Sequence, residues 1–399
     1  MNLSKRVQRI KPSPTLAITA QAATLKAQGI DVVSFGAGEP DFDTPDNIKQ
    51  AAIDAIKNGF TKYTAVGGID ELKEAIIHKI KTDLEINYSK QEILISNGGK
   101  HSLYNIAQVL FEEGDEVIIP APYWVSYPDQ VLLNDAQPIF VETTDQTHFK
   151  ILPEQLEKAI TQKTKAFILN TPSNPTGTAY SRDELLNLAK VLEKHKIFCI
   201  ADEIYDKIVY NGFKHVSIAS LSPAMKELTL IVNGASKAYS MTGWRMGYAA
   251  GPEKIIAAMA KVQGQVTSNV CSITQKACVE AFKGSQNFIA KMVSEFEKRR
   301  DMIVDGLNAI PGICCFKPQG AFYVFPNIQG LYGKKTPQHG LIESADSFAN
   351  YLLQDEKVVV VPGEGFGAKD YMRLSYASSL KNIEEGLKRI QRAAGKLTS

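Results

Sequence analysis

Between residues 92 and 250, short apolar runs rich in β-branched residues recur at 93–96, 116–120, 137–141, 166–170, 198–201, 228–232 and 246–250, with spacers between them. Runs this apolar do not alternate between a wet and a dry face, so they belong to a sheet buried on both sides. Helix-length spacers make that sheet mainly parallel. The pattern predicts an α/β fold with a mainly parallel seven-stranded sheet covered by helices. Ligands of such sheets gather beyond the carboxyl ends of the strands. The loops directly after the runs are therefore where chemistry is to be sought.

A chain of 399 residues exceeds one compact core. Beyond about residue 285 the pattern changes to a long charged amphipathic helix through 295–308 and then to mixed strands and helices. We expect residues 1–46 to form an N-terminal arm and part of a smaller α/β domain. Residues 47–285 are expected to form the large domain, and 286–399 the rest of the small one. Residues 1–14 are polar and basic and end in Lys11-Pro12-Ser13-Pro14, which opposes helix and predicts an extended arm. A helix is expected over 15–28, a short strand over 32–35 and a helix from Pro45 to about Asn58.

The 45 basic and 43 acidic residues are interspersed, so no basic field exists to hold nucleic acid or an anionic membrane. Five cysteines without metal-ligand spacing predict free buried thiols in a reducing compartment and no metal site. The basic N-terminus lacks the apolar core of a signal peptide, and no stretch reaches membrane-spanning length, so the expected location is the cytoplasm.

The run 228–232 stops at Asn233-Gly234, and Lys237 follows among Gly234, Ala235, Ser236 and Ala238. Small neighbours leave room around the amine, and Arg245 supplies a second cation. Such space suits a bulky anionic cofactor that a lysine amine can attack. After the run 93–96 comes Asn97-Gly98-Gly99-Lys100, a glycine turn that can open a helix and bind phosphate on its N–H groups. Trp124 follows 116–120 and can stack a flat face on a ring. Asp202 ends an apolar run, where an unpaired carboxylate is expensive to bury and wants a cation. Glu203 is expected on another face by strand alternation. Arg373 lies inside the apolar run 371–376, where desolvation demands an anion.

The stretch Ser236-Lys237-Ala238-Tyr239-Ser240-Met241-Thr242-Gly243-Trp244-Arg245-Met246-Gly247-Tyr248 resembles the pyridoxal-phosphate lysine motif of class I and II aminotransferases, nearest their bacterial aspartate branch. The similarity runs from about Lys11 to the last helix. It implies fold type I, pyridoxal 5'-phosphate bound to Lys237, and Lys237 as the general base of transamination. It gives the phosphate to Gly99, Lys100 and Arg245, the ring face to Trp124 and the pyridine nitrogen to Asp202. The phenolic oxygen falls to Asn174 and Tyr205. The substrate α-carboxylate falls to Arg373, with Trp124, Asn174 and the Gly38 backbone beside it, and a dicarboxylate's second charge to Lys11. The resemblance also gives Tyr63 to the phosphate of a neighbouring subunit, which implies a homodimer with shared sites. Many relatives carry a hydroxyl three residues before the lysine, where this chain has Gly234, and Ser236 is the candidate substitute.

The substrates so implied are amino acids and 2-oxo acids, namely aspartate and 2-oxoglutarate, with prephenate or aromatic oxo acids as side substrates. Asn174-Pro175 is a candidate cis peptide. Two alternatives use the same cradle. A carbon–sulfur lyase would release an oxo acid by elimination with no second oxo acid, and a transcription regulator would need a DNA-binding module ahead of the fold.

Overall fold

Seven strands build the central sheet of the structure, a computed structural model that describes residues 3–12 and 14–398. Ser13 of the Lys-Pro-Ser-Pro motif, residues 1–2 and residue 399 lie outside the described residues. With β1 as the two-residue strand Val33–Ser34, the sheet strands are β2 (Ile93–Ser96), β3 (Glu116–Ala121), β4 (Gln137–Glu142), β5 (Thr164–Asn170), β6 (Phe198–Asp202), β7 (Thr229–Gly234) and β8 (Gly247–Ala250). Their order is β2-β8-β7-β6-β5-β3-β4. All neighbours from β7 to β4 pair in parallel, while β8 runs antiparallel to both β2 and β7. Every residue of β7 and β8 is buried, as the continuous apolar runs require. The edge strand β4 is less buried, with Pro138 its one buried residue, and leaves Phe140 exposed.

A second body of packing gathers Phe35, Phe296, Phe322, Tyr323, Phe348 and Leu374 around β9 (Tyr323–Val324), β10 (Val358–Val359), β11 (Val361–Pro362) and β12 (Met372–Ser375). β1 pairs in parallel with β10, so the N-terminal segment is stitched to the C-terminal part. The sheet β11-β12-β9 holds Arg373 on its middle strand. The expected helix through 295–308 is the longer Asn287–Asn308.

Two expectations need correction. The arm is not extended throughout, because Lys5–Arg9 is helical, with Ser4 accepting from Val7 N–H at its start. Proline constrains the residue immediately before it, so Pro12 has no hold on residues 5–9. The thiols are all free, but Cys271 and Cys314 are exposed while Cys199, Cys278 and Cys315 are buried. Absence of metal spacing said nothing about burial.

Candidate active site

The carboxyl ends of β2, β3, β5, β6 and β7 converge on a cavity of about 430 Å³, large enough for a cofactor with a small substrate. Its lining includes Gly38, Gly99, Lys100, Trp124, Asn174, Asp202, Tyr205, Ser236, Lys237, Arg245 and Arg373. Residues spread over more than 330 positions of sequence therefore line one cavity, most of them at the adjacent strand ends of the central sheet, with Gly38 supplied by the segment after β1 and Arg373 by β12.

Lys237 stands three residues beyond β7 and is half-buried, its amine donating to the Gly38 carbonyl. Burial pushes that amine down to about 8. Arg373 and Arg245 push the same way, against Glu39 and Asp202. Since only the free amine is a nucleophile, acylation of Lys237 by a small anhydride, read by mass spectrometry, should reach half its limiting rate near pH 8. Glu39→Gln should move that midpoint lower; a midpoint above 10 would show a solvated amine.

Asp202 ends β6 and is 6% exposed. Burial raises its carboxyl to about 6, although Tyr127 donates its hydroxyl to Oδ2 at 2.7 Å and the Ile204 N–H reaches Oδ1 at 3.3 Å. A cation in the cavity would hold it ionised. Tyr205 follows one turn later, its hydroxyl 3.0 Å from that of Tyr323. Glu203 faces away from the cavity, as alternation predicts, and is wholly buried.

The helix Gly99–Leu110 opens at the end of β2. Gly98 O takes up the N–H groups of His101 and Ser102, so those of Gly99 and Lys100 precede the ladder and face the cavity end, an anion-binding arrangement. Gly98 has φ +87°, and a Cβ there would meet the Arg245 guanidinium at 2.6 Å, so glycine brings the helix start and the arginine together. Arg245 is itself turned toward this corner by donating to the Thr242 carbonyl at 2.8 Å. Ser236 lines the same cavity, 7% exposed. Gly234 cannot be exchanged for a hydroxyl residue without backbone movement, since a Cβ would come within 2.7 Å of Met246 O, just before β8.

Arg373 is 2% exposed, between the rings of Tyr323 and Phe366 at 4.7 and 5.1 Å. Its terminal nitrogens donate to Asn174 Oδ1 at 3.1 Å and Gly36 O at 2.9 Å, and its buried Nε has no hydrogen-bond partner among the described residues. Burial lowers its proton affinity, against the opposing influence of Tyr323 and Tyr205. With its oxygen engaged, the Asn174 amide has its NH₂ left to donate. The Asn174-Pro175 peptide is cis, as are Ala121-Pro122 and Thr171-Pro172.

Lys11 and Tyr63 are not brought to this cavity. Lys11 is exposed, its backbone N–H and charge acting on Asp129. Tyr63 is 91% exposed. Conversely, the Lys100 side chain lines the cavity, its ammonium 4.9 Å from the Trp124 ring centre. Sequence reasoning had used only its backbone. Tyr127, Tyr323, Glu39 and Thr242 were also missed. Tyr127 had a signal, three residues beyond Trp124 at helical spacing, whereas the bond from Thr242 to Glu39 at 2.6 Å spans 203 positions and leaves none.

Residues 30–390 match the family described as aminotransferase class I and II. A probable aspartate/prephenate aminotransferase of Rickettsia bellii is 50% identical over 396 residues, 99% of each chain. An aspartate aminotransferase of Geobacillus stearothermophilus is 52% identical over 392 residues, 98% of each. Among solved structures, the aspartate aminotransferase of Rhizobium meliloti superposes with a TM-score of 0.97 at 45% identity, over all of both chains. That of Thermus thermophilus with maleate gives 0.92 at 40% identity, over 98% of this chain and 100% of that one.

Proposed function

The chain belongs to the class I and II aminotransferases, and on that premise we propose that it moves the amino group of L-aspartate to 2-oxoglutarate, giving oxaloacetate and L-glutamate, with pyridoxal 5'-phosphate joined to Lys237. The observation that carries the amino-acid reading is Arg373, a buried guanidinium with an unpartnered Nε on the cavity wall. A planar fork in that state is matched by a carboxylate.

The residues fit the cofactor. A phosphate is suited by the free helix N-terminus at Gly99 and Lys100, the Arg245 guanidinium and the Ser236 hydroxyl. Asp202 offers a buried carboxylate to a protonated ring nitrogen, Trp124 a flat face, and Asn174 and Tyr205 polar groups to a phenolic oxygen. When bound, pyridoxal phosphate supplies the carbonyl that accepts the amino group and the ring that accepts electrons from the substrate Cα. Asp202 keeps the ring nitrogen charged. Arg373 and Asn174 fix the substrate carboxylate and so aim the Cα proton. Lys237 removes that proton at Nζ. At pH 7.5 an amine titrating at about 8 is free in roughly a quarter of molecules, against roughly one in a thousand for an ordinary lysine. Adding L-aspartate to the cofactor-loaded protein should discharge its visible absorption, and 2-oxoglutarate should restore it. Discharge without restoration, with oxo acid released, would favour the lyase.

A dicarboxylate needs a second cation, and the Thermus thermophilus relative was solved with maleate, itself a dicarboxylate. Lys100 stands in the cavity, while Lys11 lies outside its lining, beside Asp129. Loss of a charge-assisted bond costs about 1.5–3 kcal/mol, roughly 10- to 150-fold. Lys100→Ala should therefore raise KM for aspartate relative to alanine by that factor, and Lys11→Ala should not; the reverse pattern returns the role to Lys11. Prephenate, named for the Rickettsia bellii relative, is the side acceptor we propose.

The division at residues 46 and 285 and a homodimer with shared sites belong to the same reading. Tyr63, an aromatic 91% exposed and outside the lining of its own cavity, is suited to the partner's phosphate corner. Among the described residues no helix is long and apolar enough to cross a membrane. A cytoplasmic location is part of the proposal.

A further inference from the structure

The segment 202–206 reads Asp-Glu-Ile-Tyr-Asp, and its three acids divide between two faces. Asp202 and Tyr205 line the cavity, whereas Glu203 and Asp206 do not, yet these two are 0% and 6% exposed. Asp206 Oδ2 accepts from Lys79 Nζ at 2.7 Å, with side chains 4% and 6% exposed. Lys79 lies on the helix Asp70–Leu84 and also pairs with Asp83 at 3.2 Å; Asp83 in turn holds Lys207 at 2.6 Å. Glu203 Oε2 stands 3.1 Å from His215 Nε2, at ion-pair distance. Neither Glu203 oxygen nor that nitrogen has a hydrogen-bond partner among the described residues. The backbone ties the two acids together, since Asp206 N–H donates to Glu203 O and Glu203 N–H to Val232 O, both at 2.9 Å.

Buried ion pairs are poor sources of stability, because desolvation consumes most of the attraction. What they do well is hold a backbone in one place, since a displaced partner is a buried unpaired charge. Here the backbone held is the stretch that carries two of the cavity's polar groups. Glu203 is bonded to Asp202, and Asp206 to Tyr205, so a shift at either back-face pair is a shift at the cavity.

We propose that Glu203 and Asp206, through His215 and Lys79, are positioning residues that set the Asp202 carboxylate and the Tyr205 hydroxyl against the cofactor ring. The inference rests on the pyridoxal-phosphate reading of the cavity. It assigns no contact with cofactor or substrate to any of the four.

The test uses the full-length protein freed of cofactor, with equilibrium binding of pyridoxal phosphate and of inorganic phosphate measured separately. The phosphate corner is built from Gly99, Lys100, Ser236 and Arg245, on other loops. Asp206→Asn and Glu203→Gln should each weaken pyridoxal phosphate by about ten-fold, the loss that outer partners of a binding group commonly cause, and leave inorganic phosphate unchanged. Glu356→Gln is the control. Glu356 is a buried acid paired with Arg392 and Lys396 far along the chain, and its loss should lower Tm without touching either affinity. Lys79→Met combined with Asp206→Met removes both charges together; it should fold even where Asp206→Asn does not, and should still bind pyridoxal phosphate weakly. Wild-type affinity in these variants, or equal losses for both ligands, overturns the proposal. Failure of the wild-type protein itself to bind pyridoxal phosphate overturns the functional reading and takes this one with it.

Discussion

Lys237→Ala should lower the rate of amino transfer by about 10⁴-fold or more, because on the proposed reading one substitution removes both the cofactor's covalent partner and the general base, and a base alone contributes about 10²–10⁴. Single-turnover loss of the visible absorption on adding aspartate is the measurement. Lys237→Arg should do no better, since a guanidinium stays protonated and cannot accept the proton. Small primary amines added to Lys237→Ala should restore part of the rate. The same variant should be more stable without cofactor at pH 7. An amine at about 8 when folded and near 10.5 when unfolded binds its proton more weakly in the native state, so the charge opposes folding at every pH below 8. That penalty, of order 1–3 kcal/mol, fades as pH rises from 8 to 10.5. Lys237→Ala should therefore melt above wild type at neutral pH and level with it at pH 11. An unchanged rate would remove Lys237 from the chemistry, and an unchanged Tm would mean that the amine is solvated.

The parts of this molecule legible in its sequence are those where one residue type answers one local need. Seven apolar runs became the seven strands of the sheet, with ends displaced by no more than two residues, because a strand buried on both faces must be apolar throughout, and only the edge strand β4 is exempt from that burial. Asp202 and Arg373 were conspicuous because a charge ending or interrupting such a run must be compensated. Residues whose meaning depends on what the fold brings opposite them were not legible. Tyr127 is an ordinary helical tyrosine until Asp202 arrives 75 positions later to take its hydroxyl. Lys100 looked like part of a glycine turn, and only the neighbouring loop shows its ammonium over Trp124. The arm was misjudged for the opposite reason: two prolines near its end were allowed to speak for residues 5–9, where Ser4 caps a helix instead.

Arg373→Leu should cost activity without costing the fold. Removing a buried cation that lacks a carboxylate relieves desolvation, and a leucine between Tyr323 and Phe366 keeps the site apolar, so Tm should hold or rise. The substrate's α-carboxylate would then enter a buried place with one polar partner, Asn174, still present. Truncating one side of a buried charge pair costs about 2–5 kcal/mol, so kcat/KM for aspartate should fall roughly 30- to 5,000-fold. Arg373→Lys should recover little of it, because an ammonium cannot reproduce the two-pronged match of a guanidinium. Affinity for pyridoxal phosphate should stay within about two-fold, since Arg373 lies on β12 and the phosphate corner on the loops after β2 and β7. An amine that lacks an α-carboxylate separates recognition from packing. Its slow reaction should be unaffected by Arg373→Leu, and a loss equal to that for aspartate would assign Arg373 to the architecture of the wall instead of the substrate.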